Sequence, residues 1–191
     1  MIAALEEQGS LDDTMIIFTS DNGFFFGEHW LSQERRLPYE ESIRLPLILC
    51  YPPLATPGSR IEGLSLSVDT APTVLEAGGA EIGDHVQGRS LIPLLRGDDV
   101  GWRASVLIEF YTHENPRPWL MDMDYRAVRT DRYKLIHWIQ HPADRELYDL
   151  HEDPFELQNL VDDPAMSEVV AELEAELATL VVEAMGLVDG R

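Results

Sequence analysis

The sequence has little cysteine, few basic residues and no long apolar run. Cys50 is the only cysteine among 191 residues, which excludes an intrachain disulfide and a cysteine-rich zinc site. Lysine and arginine number 14 against 35 aspartates and glutamates, so the formal net charge is -21. Nucleic acid and anionic membrane surfaces would be repelled by that charge. No run approaches the roughly 20 apolar residues of a membrane span, and the start of the chain lacks the pattern of a signal peptide.

The first half of the chain has the pattern of an α/β sheet. Residues 14–19 and 45–51 are apolar runs of strand length, typical of strands buried on both faces of a parallel sheet. Residues 67–77 predict a helix, with Pro72 in its first turn and glycines after its end. We therefore predict an α/β sheet domain over residues 1–97.

Beyond residue 97 the apolar segments become shorter and predict an α+β subdomain over residues 98–191. The tight turn at residues 130–132 indicates an antiparallel hairpin. A final helix is predicted from Pro164 and Ser167 to Met185, with an apolar stripe for packing and glutamates facing solvent. The predicted strands are residues 104–110, 125–130, 133–139 and 146–150.

A loop follows the first predicted strand and carries the best candidates for chemistry. Asp21 and Asn22 come at the carboxyl end of that strand, where open α/β sheets bind their ligands. A carboxylate and an amide oxygen suit Ca²⁺ or Mg²⁺, and Gly23 allows the backbone turn that would let both reach one ion. His29 and Arg35 follow, and both could bind an anion beside the metal. The alternative is an ordinary turn, since Asp, Asn and Gly are the residues that turns prefer.

Eight short segments stand out along nearly the whole chain. They are Thr19–Gly23, Gly27–His29, Pro38–Pro46, Val68–Leu75, Gln87–Leu91, Tyr125–Lys134, Glu146–Leu150 and Asp153–Leu160. Each motif is short, but their order and spacing are specific. Taken together in this order, the segments resemble the sulfatase family of the alkaline-phosphatase-like superfamily.

The resemblance implies hydrolysis of a sulfate ester of a small molecule or sugar, with Ca²⁺ as the cofactor ahead of Mg²⁺. It makes Asp21 and Asn22 two of the metal ligands and places His29 near the sulfate or leaving-group oxygen. Arg35 falls where the family usually has a sulfate-binding lysine. Arginine keeps the charge and the grip on an oxyanion but cannot give up a proton as lysine can.

The resemblance also implies parts that this sequence does not contain. The family's nucleophile lies in a Cys/Ser-x-Pro-x-Arg segment and is converted to formylglycine. Cys50 is followed by Tyr51, Pro52 and Pro53, but Leu54 stands where the arginine should be. We therefore interpret Cys50 as a small buried residue, the fold as a partial sulfatase-type α/β domain with its C-terminal subdomain, and a missing N-terminal half as the partner that would supply the nucleophile.

Two other functions stay open from the sequence. As part of a sulfatase, the isolated chain is expected to bind Ca²⁺ weakly and turn over nothing. The chain could instead be a non-catalytic fragment or a partner module that binds an upstream half. Alternatively, it could cleave a phosphate or phosphonate ester. Related hydrolases of that kind typically use Asp-His where this chain has Asp21-Asn22, which favours a single calcium ion.

A Pro-rich loop offers a second group of candidates. Its side chains either line a substrate pocket or form an exposed loop with a packed aromatic residue, since binding groups favour loops. They are Tyr111, His113, Arg117 and Trp119.

Overall fold

The computed structural model describes residues 1–31, 35–98, 100–112 and 122–189. The chain forms two compact units, and each contains two segments of sequence. The first unit is Met1–Asp21 with Leu45–Arg103, and the second is Asn22–Arg44 with Ala104–Arg191. The second unit thus includes a segment that we had placed in the first domain. Compact units need not coincide with domains, so the predicted boundary after residue 97 stays a prediction.

The first unit contains short elements. The prediction that its strands belong to a parallel sheet is wrong: β1 (Ile16–Thr19) and β2 (Leu47–Cys50) pair antiparallel, with Ile16 opposite Cys50. The prediction that both strands are buried is also wrong, because Phe18 is 61% exposed and Ile48 is 62% exposed. An apolar run indicates burial but not pairing direction, and the described part of this unit supplies only these two strands. The elements are α1 (Ile2–Glu7), β1 (Ile16–Thr19), β2 (Leu47–Cys50), α3 (Thr70–Ala77) and α4 (Ile92–Arg96).

A buried carboxylate, Asp69, organises the helical end of the first unit. The helix predicted over residues 67–77 is observed as a 3-10 turn at Ser67–Asp69 that leads into α3. The Asp69 side chain is fully buried and accepts two hydrogen bonds from Arg103, at 2.5 and 2.9 Å. Backbone N–H groups of Leu66 and Arg89 donate to the same carboxylate. Burial alone would raise the pKa of Asp69, but these donors outweigh it and hold the pKa below its usual value.

The second unit contains a four-stranded antiparallel sheet in the order β3-β4-β5-β6. The predicted strands agree with the observed ones to within one residue at each end, and the predicted hairpin is confirmed as β4 and β5. Alternating side chains of these strands face opposite sides of the sheet, so each side has its own apolar cluster. The strands are β3 (Ser105–Phe110), β4 (Tyr125–Thr130), β5 (Tyr133–Trp138) and β6 (Arg145–Asp149).

The terminal helix α5 (Ser167–Asp189) covers one side of this sheet. Its predicted apolar stripe is confirmed as packing, because Val170, Leu173 and Leu177 are buried against sheet residues such as Leu135. The helix is also held by polar side chains. Glu174 binds Arg145 and Glu176 accepts a hydrogen bond from Ser105, so these two glutamates do not simply face solvent as predicted.

The other side of the sheet is covered by the segment that carries the candidate site. Phe25 and Leu37 are buried there against Tyr125, Ile136 and Trp138. The short helix α2 (Glu40–Ile43) follows in the same segment. The loop around His29 is therefore attached to a packed core. Among the described residues, no helix has both the length and the apolar character needed to cross a bilayer.

Candidate active site

Of the two predicted metal ligands, Asp21 is the last residue of a segment of the first unit, and Asn22 is the first residue of the second unit. Asp21 is exposed, and its Oδ1 accepts a hydrogen bond from the Ser20 hydroxyl at 3.4 Å. Asn22 is half-buried, and its amide nitrogen donates to the Gly23 carbonyl at 2.5 Å. The amide oxygen is therefore the atom of Asn22 that suits a cation.

Gly23 fixes the start of the loop by a close backbone approach. Its N–H donates to the Ser42 carbonyl at 2.7 Å, and the Phe24 N–H donates to the Glu41 carbonyl at 2.8 Å. A Cβ at position 23 would stand 1.9 Å from the Glu41 carbonyl oxygen, which no side chain could tolerate. Glycine is thus required here for space, and the loop is tied to helix α2.

His29 occupies an unusual backbone conformation. Its φ is 52°, and that of Trp30 is 59°, so two consecutive residues other than glycine are left-handed. Such residues cost on the order of 1–3 kcal/mol each and persist only where the surroundings enforce them, commonly at functional sites. The His29 side chain is only 13% exposed. The backbone strain therefore places a largely buried imidazole.

Aromatic rings and one carboxylate surround the His29 imidazole. The ring stacks on Tyr39, with centroids 4.2 Å apart and planes 15° apart, and it meets the edge of Phe25 at 6.0 Å. Its Nε2 lies 3.5 Å from Glu41 Oε2. Within the described part of the chain, both of these buried atoms lack a hydrogen bond. Buried polar atoms of this kind need an explanation, and a ligand or an ion at the site is one.

Arg35 lies on the same loop, and its side chain is exposed. The Ser42 hydroxyl donates to the Arg35 carbonyl at 2.5 Å, so the backbone of Arg35 is anchored to helix α2. Asn22, His29 and Arg35 are thus three predicted site residues on one segment of the second unit. Hydrogen bonds from Gly23 and to Arg35 tie this segment to α2. The convergence of all four predicted side chains on one ligand stays a prediction.

A buried ionic cluster lies next to helix α2. Lys134 is the chain's only lysine, and its side chain is fully buried. Its Nζ lies 2.5 Å from Glu156 Oε1 and 3.2 Å from Glu40 Oε1, and Glu156 Oε2 accepts the backbone N–H of Glu40 at 2.6 Å. Burial raises the pKa of Glu156 to about 7, whereas Lys134 and Arg129 outweigh the burial of Glu40 and lower its pKa. The cluster holds the beginning of α2.

The donor set fits part of a site for a hard cation. Asp21 and Asn22 offer oxygen atoms, but Ca²⁺ takes about 6 to 8 oxygens. Among the residues that the structure describes, no group of three or more histidines, cysteines, aspartates or glutamates could hold a metal ion. These two residues would therefore need further ligands.

The prediction of a buried Cys50 is wrong, because this residue is exposed at the end of β2. The apolar strand before it suggested burial, but the ribbon that it belongs to is largely uncovered. In the Pro-rich loop, Tyr111 is 49% exposed and its hydroxyl contacts Glu109 and Arg126. The other candidates of that loop, His113, Arg117 and Trp119, lie outside the described residues.

Two neighbours of His29 were not predicted to have a role. Tyr39 and Glu41 belong to the Pro38–Pro46 segment that carries part of the sulfatase resemblance. That segment was the only hint in the sequence that these two residues could belong to the site, because it follows the loop closely in the chain. Its contacts with His29 depend on the loop folding back, which spacing alone does not reveal.

The chain resembles the C-terminal portion of proteins of the alkaline-phosphatase-like superfamily, one of which, from Trinickia caryophylli, is 35% identical over 181 residues. Within that superfamily the chain belongs to the sulfatases, because residues 27–183 match the family model described as N-sulphoglucosamine sulphohydrolase, C-terminal.

Relatives of known identity agree with this family. An N-acetylglucosamine-6-O-sulfatase of Bacteroides thetaiotaomicron is 39% identical over 160 residues, which are 82% of this chain and 28% of the relative. A solved structure in complex with its substrate D-glucosamine-2-N,6-O-disulfate has a TM-score of 0.85 at 35% identity, covering 93% of this chain and 36% of the other. The phosphonate monoester hydrolase of Agrobacterium radiobacter has a TM-score of 0.83 at 28% identity, covering 95% and 37%. The chain thus spans about a third of the length of these relatives.

Proposed function

We propose that this chain supplies the sulfate-binding side of a sulfatase active site, in an enzyme that hydrolyses the sulfate ester of a sugar. The observation that supports this most strongly is the buried His29 imidazole, whose Nε2 lacks a hydrogen bond within the described residues while its ring is fixed on Tyr39. The sulfated amino sugars named for two relatives suggest the substrate class.

Each side chain would have a distinct task in that reaction. His29 Nε2 would donate to the ester or leaving-group oxygen, and Tyr39 and Phe25 would keep water from the other side of its ring. The planar Arg35 guanidinium would bind two sulfate oxygens at once. Asp21 and Asn22 would bind Ca²⁺ together with ligands from elsewhere. The bound ion would orient one sulfate oxygen and neutralise charge as it develops.

The test is the binding of inorganic sulfate and of glucosamine 6-sulfate to the chain, with and without Ca²⁺, by isothermal titration calorimetry. Removal of one charge-assisted contact should weaken binding by about tenfold, so we expect that loss for Arg35→Gln and for His29→Ala. The matched controls are Arg96→Gln and His141→Ala, at exposed positions elsewhere, which should leave affinity unchanged. Equal affinity in all four variants would refute the proposal.

A phosphonate or phosphate ester is the second candidate substrate, favoured by the likeness to the Agrobacterium hydrolase. Titration calorimetry with an aryl sulfate and with phenyl phosphonate would separate the two, and clearly tighter binding of the phosphonate would overturn the sulfatase proposal. We expect no turnover of either ester by the isolated chain, because it contains no Cys/Ser-x-Pro-x-Arg segment. The alternative of a non-catalytic module predicts no sulfate binding at all.

A further inference from the structure

Glu146 on strand β6 receives hydrogen bonds from three aromatic side chains. The Tyr39 and Tyr148 hydroxyls donate to its Oε2 at 3.0 and 2.6 Å, and the Trp138 indole N–H donates to its Oε1 at 2.7 Å. An ionised carboxylate only accepts hydrogen bonds, so three neutral donors suit it well. Hydrogen bonds to a charged group are also stronger than those between neutral groups.

The bond from Tyr39 is the long-range member of this group, since it joins residues 107 positions apart in the sequence. Burial, together with the negative charge of Glu146, raises the pKa of Tyr39 above its ordinary value. The hydroxyl therefore keeps its proton and stays a donor. One edge of the Tyr39 ring meets Tyr148 at 6.2 Å, so the ring is held by both its hydroxyl and its edge.

The opposite end of this chain of contacts is His29. Its imidazole lies nearly parallel to the Tyr39 ring, and the residue has a left-handed backbone. The charged groups that face or adjoin the imidazole are Glu41, at 3.5 Å, and Glu28, its neighbour in the chain. Stacking on Tyr39 restrains the plane of the ring, and the contact with Glu41 restrains its Nε2 atom.

We propose that Glu146 is a positioning residue: by holding the Tyr39 hydroxyl, it fixes the ring that sets the orientation of His29. The contact of His29 with substrate belongs to the proposed function, but its orientation by Glu146 does not depend on that. The C-terminal sheet would thereby control a side chain of the loop that precedes α2.

The experiment observes the His29 ring by NMR in the full chain, after assignment with His29→Ala. The test variants are Glu146→Gln, which weakens the acceptor, and Tyr39→Phe, which keeps the stacked ring but removes its hydroxyl. The control is Tyr148→Phe, which removes a hydroxyl from the same carboxylate without touching His29. Thermal unfolding of each variant shows how far the fold itself is affected.

We expect the His29 ring signals to lose most of their ring-current shift in Glu146→Gln and in Tyr39→Phe, and to keep it in Tyr148→Phe. The double variant that combines Glu146→Gln with Tyr39→Phe should shift the His29 signals no further than either single change, because both changes break the same link. If the His29 signals of the two test variants match those of Tyr148→Phe, the proposal is wrong and Glu146 has only a structural role.

Two features keep the test decisive. If Glu146→Gln does not fold, Tyr39→Phe still tests the link, since it retains the aromatic ring in the core. The NMR signal needs neither turnover nor bound sulfate, so a chain that fails to bind sulfate would refute the proposed function while this inference is judged separately.

Discussion

Different kinds of interaction stabilise the interiors of the two units of this chain. The second unit has two apolar clusters, one on each side of its sheet. In the described part of the first unit, the most heavily bonded buried group is a carboxylate, Asp69, which accepts from Arg103 and from two backbone N–H groups. Apolar packing is distributed over many side chains, whereas this polar hub depends on one. Single substitutions should therefore act differently in the two units.

The largest effect is expected for Asp69→Asn in the first unit. Removing one partner of a buried ion pair costs about 3–5 kcal/mol, because Arg103 is left without its countercharge. Native-state hydrogen exchange should show faster exchange at Thr73 and Leu91, near the hub, with little change at Leu135 in the second unit. Equally faster amide exchange in both units would contradict the conclusion that Asp69 stabilises the first unit alone.

The control for this substitution is Glu76→Gln in the same unit. Glu76 lies 3.7 Å from Arg96, and both side chains are substantially exposed. Exposed pairs contribute roughly 0–1 kcal/mol, so the exchange rates should barely change.

The next effect is expected for Leu147→Ala in the second unit. Leu147 is fully buried in the cluster beneath α5, and truncation of a core leucine costs about 2–5 kcal/mol. Urea unfolding should give this loss for Leu147→Ala but less than about 0.5 kcal/mol for Leu157→Ala, since Leu157 is 74% exposed. If the loss for Leu147→Ala is as small as that for Leu157→Ala, β6 is not part of a packed core.

The two units also differ in how well their sequences predict them. In the second unit the strand boundaries and the β4–β5 hairpin followed from short apolar segments and the turn at residues 130–132, which are local signals. In the first unit the apolar runs ending at Thr19 and Cys50 correctly indicated strands, but the pairing direction and the exposure were wrong. Both depend on which other strands lie beside them, and that information is not local.

The candidate site shows the same limit. Residue types and the sulfatase resemblance pointed to Asn22, His29 and Arg35, whose roles stay predictions, and these residues lie on one anchored segment. The stacking partner of His29 and the link from Tyr39 to Glu146 join residues far apart in the sequence. Such contacts exist only after the segment has packed on the sheet, so no pattern within the loop could indicate them.

The smallest effect concerns Glu156, which belongs to the buried ionic cluster of the second unit. It is buried, its φ is 53°, and its pKa is raised from 4.5 to about 7. An acid with a raised pKa binds its proton more tightly in the folded state. Its contribution to stability is therefore fully present below about pH 4.5 and is lost as the pH rises through about 7.

Glu156→Gln removes this titration, so the free energy of unfolding of the wild type relative to the variant should fall by about 3 kcal/mol between pH 4.5 and 8. Urea unfolding across that range measures the difference. Burial lowers the pKa of His137, so its contribution to the free energy of unfolding decreases as the pH falls. This contribution is the same in both proteins and cancels. The exposed Glu152→Gln should show no such trend. A difference that does not change with pH would mean that Lys134 keeps Glu156 ionised throughout, and the polar cluster would then act as a fixed ion pair like that of Asp69.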